Sequence, residues 1–545
     1  MQKIVHIISY ILLIALALPI QAQDEATSPF SSTFPKREER AVWLATIGGI
    51  DWPRIKATDA RSTERQKQEL IDILDQLKRA NINVVILQTR IRGSVIYPSA
   101  IEPWDNAITG KSNVGPSYDP LRFAIDECHK RGMELHAWIV SIPLGTAQRQ
   151  KAYGSKSITR HHSSLCKTVG GEMFMIPGNP ATADYIASLC KEIVENYDVD
   201  GISLDYIRYP ESQYHFSDDN LYKSSSGLTK AQWRRENITR IVKRVHDVVK
   251  PIKPWVRLSS SPIGKYSNLS RYRSGGWDCY DAVYQDPKLW LREGYQDMLF
   301  PMMYFLGNNY YPFVFDWKEG SSGHPVVPGL GIYFLDPREG KWQLSDVRPE
   351  MHAARDSRVG GIAFYRSYYL TNNFKGLYDC VCEEFFPYPA LTSRMTWQSD
   401  TIPPSAPTDL QYVEGRLTWN SPSTSKEIFY NVYASWEYPV DISRAENLIA
   451  MRLQQSALSV LNTKGYHYAV TAIDRFGNES QAVQEAATET PIDREKVLAA
   501  IRNHYSQPTT TTKAKAKKTK KTKATKAAKT NTVSPTVIDF SKYLN

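Results

Sequence analysis

The sequence predicts an α/β fold, a (β/α)₈ barrel followed by a small β-sandwich, and three observations predict it. Apolar and amphipathic runs alternate along residues 35–390, as strands and helices do in a barrel. The apolar runs are rich in Val, Ile and Leu with no polar alternation, so each is buried on both faces, as parallel strands are. The turn after the first run, Ile47-Gly48-Gly49-Ile50-Asp51-Trp52-Pro53, lacks the glycine spacing of a phosphate-binding turn, which argues against an open nucleotide-binding sheet.

The strands are expected at Ala41–Thr46, Ile82–Thr89, Met133–Val140 and Gly201–Ile207, then at Val256–Ser261, Met298–Tyr304, Val326–Gly331 and Gly361–Tyr365. Amphipathic stretches separate them at Thr63–Ala80, Pro120–Arg131, Ala181–Asn196 and Lys230–Lys250. Further stretches follow at Pro287–Tyr295, Phe313–Glu319, Ser345–Ser357 and Asn373–Phe385.

Either side of the barrel the composition changes. Residues 1–22 pair Lys3 with an apolar run from Ile4 to Ile20 and end in Ile20-Gln21-Ala22, the pattern of a secretory signal. The expectation is therefore an exported protein, periplasmic or extracellular, with no transmembrane segment once the signal is removed. Thr401–Pro407 is a proline-rich linker, and the short β-like runs over 403–491 predict a sandwich. Residues 507–532 are rich in Thr, Lys and Ala and cannot bury enough apolar surface to fold. That tail suits an anionic envelope surface, or no dedicated partner. Nine of the +10 net charges are lysines between Lys513 and Lys529, so the remainder is near neutral and nucleic-acid binding has no support. Six cysteines in 545 residues form no disulfide framework and have no zinc-ligand spacing.

An active site in such a barrel lies at the C-terminal strand ends. The fourth strand, Val199-Asp200-Gly201-Ile202-Ser203-Leu204-Asp205-Tyr206-Ile207-Arg208-Tyr209-Pro210, places Asp205 near its mouth end, with Arg208 as a neighbour. Burial raises the pKa of such a carboxyl and a close Arg lowers it. Asp205 reads either as a catalytic carboxylate or as half of a structural Asp–Arg pair. Asp200 and Asp297 start their strands and belong to the opposite end. His136 and Trp138 share one side of the third strand by period two; they face the mouth or pack the core. Arg90 and Arg92 leave the second strand, Tyr304 ends the sixth, Arg366 follows the eighth, and Trp52 follows the first. A glycosidase needs two carboxyl groups, or one plus a substrate group. Asp281 or Asp286 in the loop after the fifth strand is the favoured partner, with Asp278 and Glu211 also nearby.

Several of these segments, taken together, resemble the glycosyl hydrolase-like 10 family. They are Arg40-Ala41-Val42-Trp43-Leu44-Ala45-Thr46, Gln88…Arg90…Tyr97-Pro98-Ser99…Glu102-Pro103-Trp104, and Tyr118-Asp119-Pro120-Leu121. His129 through Trp138, Asp200-Gly201…Asp205 through Pro210, and Asp297…Pro301-Met302-Met303-Tyr304 complete the set, spanning nearly all of Arg37–Phe386. The resemblance implies an exported eight-fold barrel whose relatives cleave glycan strands of the bacterial cell wall, often with an added sandwich. Pro403-Pro404-Ser405-Ala406-Pro407-Thr408-Asp409-Leu410, Leu417-Thr418-Trp419 and Ala472-Ile473-Asp474…Gly477-Asn478-Glu479-Ser480 resemble a fibronectin type III module. The chain departs from the pattern twice: Tyr206 stands where many relatives have a second Asp, and Ile139-Val140-Ser141 replaces Asn-Pro-Tyr. Family 18 chitinases carry a Glu acid at the position of Ile207, so that chemistry is excluded.

The expected function is hydrolysis of a glycosidic bond in an envelope polysaccharide, peptidoglycan glycan above all. Asp205 would be essential, Asp281 or Asp286 would assist, and Arg90, His136, Trp138, Arg208, Tyr304, Trp52 and Arg366 would bind sugar. No metal or organic cofactor is implied. The alternative is a carbohydrate-binding envelope protein that has lost turnover.

Overall fold

A computed structural model of the chain describes residues 34–484 apart from 224–226, 271, 273–275, 424, 426 and 461–464. The expected signal (1–22) and the Lys-rich tail (507–532) lie outside the described residues.

Eight parallel strands form one sheet: β1 Glu39–Leu44, β2 Val84–Arg90, β3 Glu134–Val140, β4 Gly201–Asp205, β5 Arg257–Ser260, β6 Met298–Leu299, β7 Gly329–Leu330 and β8 Gly361–Phe364. Their order is β7-β8-β1-β2-β3-β4-β5-β6. Parallel bridges Leu299–Val326 and Met302–Gly329 join the two ends and close the barrel.

Period two sorts each strand's residues between two cores. Ala41, Trp43, Val84, Ile86, Trp138, Phe300 and Ala363 fill the lumen. The alternate residues, among them Val42, Leu44, Leu135 and Ala137, pack against the surrounding helices. In the helix Ala60–Arg79, Leu70, Leu74 and Leu77 are buried, the i, i+4, i+7 stripe of a helix with one buried face. Asp59 and Thr229 open their helices with capping boxes, which satisfy backbone N–H groups that the helix leaves free.

Two features depart from a plain barrel. Between β3 and the helix Pro180–Asn196, the segments Pro143–Thr146, Cys166–Val169 and Glu172–Met175 form a three-stranded antiparallel sheet. Gly170 and Gly171 turn its hairpin with φ of 58° and 83°, the conformation a two-residue turn demands. After the barrel, a three-stranded and a four-stranded antiparallel sheet share a core of Leu417, Trp419, Tyr430, Val432, Tyr468 and Val470.

That second unit caps the N-terminal end of the barrel. A Cβ on Gly132 (φ 70°) would meet Met451 O at 2.3 Å, so only glycine allows the approach. Arg452 donates to Glu134 Oε1 at 3.0 Å and to Asp200 Oδ1 at 2.6 Å. Arg475 donates to Asp198 Oδ2 at 2.7 Å. Asp200 and Asp297 thus sit at the end away from the mouth, Asp297 held by Lys250 at 2.6 Å and by the indole N–H of Trp397 at 2.8 Å.

One buried acid stands alone. Glu350, 1% exposed, lies in the helix Leu344–Asp356 with no cation paired to it among the described residues, and burial pushes its pKa up to about 9. A raised carboxyl keeps its proton in the folded state while the unfolded chain ionises, so the protein loses stability as pH rises from the usual 4.5 towards 9. Glu350→Gln, an isostere of the protonated acid, is expected to remove a cost of about 3 kcal/mol at pH 7. Urea midpoints of both proteins at pH 5 and pH 8 check this; parallel midpoints would refute it.

Candidate active site

The barrel mouth is built on β4. Asp205 is its last residue and only 5% exposed. The indole N–H of Trp138, on the neighbouring β3, donates to Asp205 Oδ2 at 2.9 Å. The backbone N–H of Tyr206 donates to Oδ1 at 2.7 Å. Tyr206 has φ of 49°, a left-handed conformation that is costly for an aromatic residue. That turn ends the strand beside the carboxylate and brings the Tyr206 ring under the Arg208 guanidinium, 4.2 Å away.

Above Asp205 is a cavity of about 190 Å³ lined by Trp43, Arg92, Trp138, Tyr206, Tyr304 and Tyr365 among others, with Asp205 the one carboxylate in its lining among the described residues. Tyr304 and Tyr365 stack with centroids 5.3 Å apart. Burial raises the pKa of Asp205, while the Arg208 charge and the Tyr206 and Trp138 hydrogen bonds pull it back down. A carboxyl tuned this way in an aromatic cavity suits proton transfer to or from a bound sugar. The indole bond stabilises the charged form, so Trp138→Phe is expected to move the Asp205-dependent limb of the kcat/KM pH profile to higher pH. An unmoved limb would rule out any influence of the indole on Asp205.

Of the other residues expected at the site, Tyr304 and Trp138 line the mouth and Arg208 lines an adjoining groove. Five lie elsewhere. Arg90 turns outward because β2 bulges between Gln88 and Arg90, which breaks the alternation of faces. It pairs with Glu102 at 2.7 Å, fully buried, and Arg92 reaches the mouth instead. His136 lies one lumen layer below Trp138, 3.3 Å from Glu134 Oε2, across a strand position where a Cβ on Gly201 would sit 2.7 Å from the ring. Trp52 is 0% exposed and donates to Gln66 O at 2.9 Å, a core role.

The favoured partner carboxylates also miss the cavity. Asp286 caps the helix Pro287–Arg292, accepting from Leu289 N and from the Tyr266 hydroxyl at 2.9 Å. Asp281 points to solvent, its side chain 72% exposed and 3.6 Å from Arg235. Arg366 ion-pairs with buried Asp51 and lies over the Tyr369 ring at 4.8 Å, outside the mouth lining. Residues that sequence reasoning passed over include Trp43 and Tyr365. Both follow from the inward period of β1 and β8, in register with Ala41 and Ala363.

The model of the glycosyl hydrolase-like 10 family matches residues 38–312. The chain is 30% identical over 485 residues to glycosyl hydrolase YngK of Bacillus subtilis strain 168, covering 82% of this chain and 92% of that protein. It is 33% identical over 368 residues to glycosyl hydrolase DigH of Escherichia coli K12, covering 64% and 77%. Among solved structures, the PgaB glycoside hydrolase domain of Bordetella bronchiseptica aligns with a TM-score of 0.44 at 13% identity, over 63% of this chain and 98% of that one.

Proposed function

The chain belongs to the glycosyl hydrolase-like 10 family, and on that premise we propose that it hydrolyses glycosidic bonds of a bacterial envelope polysaccharide, the glycan strands of peptidoglycan. One observation carries the reading: a buried carboxyl, held by two N–H donors, is the acid in the lining of an aromatic cavity at the barrel mouth. Asp205 serves as the proton donor to the leaving oxygen, the role that a raised carboxyl fits. Trp138, Tyr304 and Tyr365 surround the sugar. The second group that the reaction needs comes from Glu211 in the adjoining groove or from the substrate itself.

That Asp205 is the single acid in the mouth lining among the described residues also supports a second reading, a glycan-binding protein without turnover. Export through the signal at residues 1–22 belongs to both readings, as does attachment of the Lys-rich tail to an anionic envelope surface. No helix among the described residues is long and apolar enough to cross a membrane.

Incubating the full-length protein with purified glycan strands, with and without stem peptides, is expected to release saccharide fragments detectable by mass. Tight binding with no release would overturn the enzyme reading in favour of the binding protein.

A further inference from the structure

The mouth cavity does not end at Asp205. Past Arg92 and Tyr206, which line both spaces, it opens into a groove of about 590 Å³, some three times the volume of the mouth itself. Three separate chain segments wall the groove. The inserted hairpin contributes Glu172 and Phe174, the loop after β4 contributes Arg208 to Tyr214, and the loop after β5 contributes Trp277. Phe174 and Tyr214 pack edge to face at 5.0 Å, so the hairpin and the β4 loop form one continuous wall.

Two observations mark this groove as a binding surface. Trp277 is 42% exposed and lines the groove together with Phe174, Tyr206 and Tyr214, so its exposed face is part of one aromatic-walled cleft and not a ring scattered singly on the surface. Arg208 is 5% exposed and gives one hydrogen bond to Glu211 Oε1 at 2.9 Å, yet its Nε and Nη1 have no acceptor among the described residues. Its guanidinium lies between the Tyr206 ring at 4.2 Å and the Trp277 ring at 5.5 Å. Buried donors without acceptors are costly, and an oxygen-rich ligand would supply the missing acceptors.

We propose that the groove binds two further sugar residues of the chain whose scissile bond lies in the mouth, so that the protein acts on extended strands. This rests on the reading of the mouth as a glycan site. A space of about 590 Å³ falls within the roughly 300–1,000 Å³ of sites that enclose compact ligands, the scale of a disaccharide. Trp277 offers a flat face to a pyranose ring, and Arg208 offers N–H donors to its oxygens. The chain runs from Asp205 over Tyr206 and along the hairpin wall.

The test is calorimetric binding of peptidoglycan glycan fragments of two, four and six sugars to full-length Asp205→Asn, alone and combined with Trp277→Ala. Affinity is expected to rise at least ten-fold from two sugars to four and to level off by six. Trp277→Ala is expected to reduce that gain to less than three-fold; a half-exposed ring can be truncated without unfolding the chain, and the melting temperature checks this. Equal affinity for all lengths, or a length gain unchanged by Trp277→Ala, would overturn the groove while leaving the mouth as a glycan site. No binding of any fragment would overturn both.

Discussion

Asp205→Asn is expected to lower fragment release by about 10³-fold, the scale of a lost acid–base group, with folding and glycan binding retained. Asparagine keeps the size of the side chain, and its carbonyl oxygen can still accept one of the two hydrogen bonds from Trp138 and Tyr206. What it cannot do is carry a proton between the protein and the glycosidic oxygen. One of the two N–H donors is left without an acceptor, at a cost of about 1–3 kcal/mol, but burial already disfavours the charge and its removal offsets part of that cost, so the chain should stay folded while activity is lost. Mass detection of released fragments, set beside melting temperature and affinity for the same strands, reads all three. Equal release by both proteins would remove Asp205 from the chemistry and direct attention to Glu211.

The second large effect concerns the opposite end of the barrel. Arg452→Ala is expected to destabilise the protein by about 3–5 kcal/mol, as breaking a buried ion pair does when the partners stay behind. Burial pushes the Glu134 carboxyl up, but Arg257 and Arg452 outweigh it and hold it down at about 2. A depressed carboxyl contributes stability that is complete above its unfolded value of 4.5 and is lost as pH falls towards 2. Without Arg452 the Glu134 pKa rises, so acid unfolding should begin at a higher pH. Urea midpoints at pH 7 and pH 4 measure both parts. A loss below about 1 kcal/mol, the range of solvent-exposed pairs, would show that the network between barrel and sandwich contributes little.

Much of the fold was legible because it depends on local periodicity. The eight apolar runs and the longer helices between them were legible from hydrophobic pattern and length, although Met298–Tyr304 and Val326–Gly331 shrink to the two-residue strands Met298–Leu299 and Gly329–Leu330, and Asn373–Phe385 breaks into three short turns. The hairpin at Cys166–Met175 was missed although its Gly170-Gly171 pair between two short apolar runs is a readable turn signal. Asp286 was equally readable as a cap, since an acid directly before Pro287 matches the start of a helix. A catalytic role competes with the Leu289 backbone N–H that its carboxylate satisfies.

Arg90 and Arg452 show where local reading ends. Each sits at an irregularity, Arg90 beyond the β2 bulge and Arg452 at φ of 54° where the ladder shifts register. A bulge adds one residue and sends the following side chains to the other face, and nothing in the flanking residues announces it. The sequence by itself determined the barrel, its closing sandwich, the family and the placing of Asp205 at a strand end, because strand and helix periods and the order of motifs are local properties. The tertiary structure decided which aromatic rings surround Asp205, which arginine reaches the mouth, and that the sandwich arginines neutralise acids under the barrel. Those depend on register and on contacts between residues far apart in the chain, which burial of charge and ring packing select only once the barrel has closed.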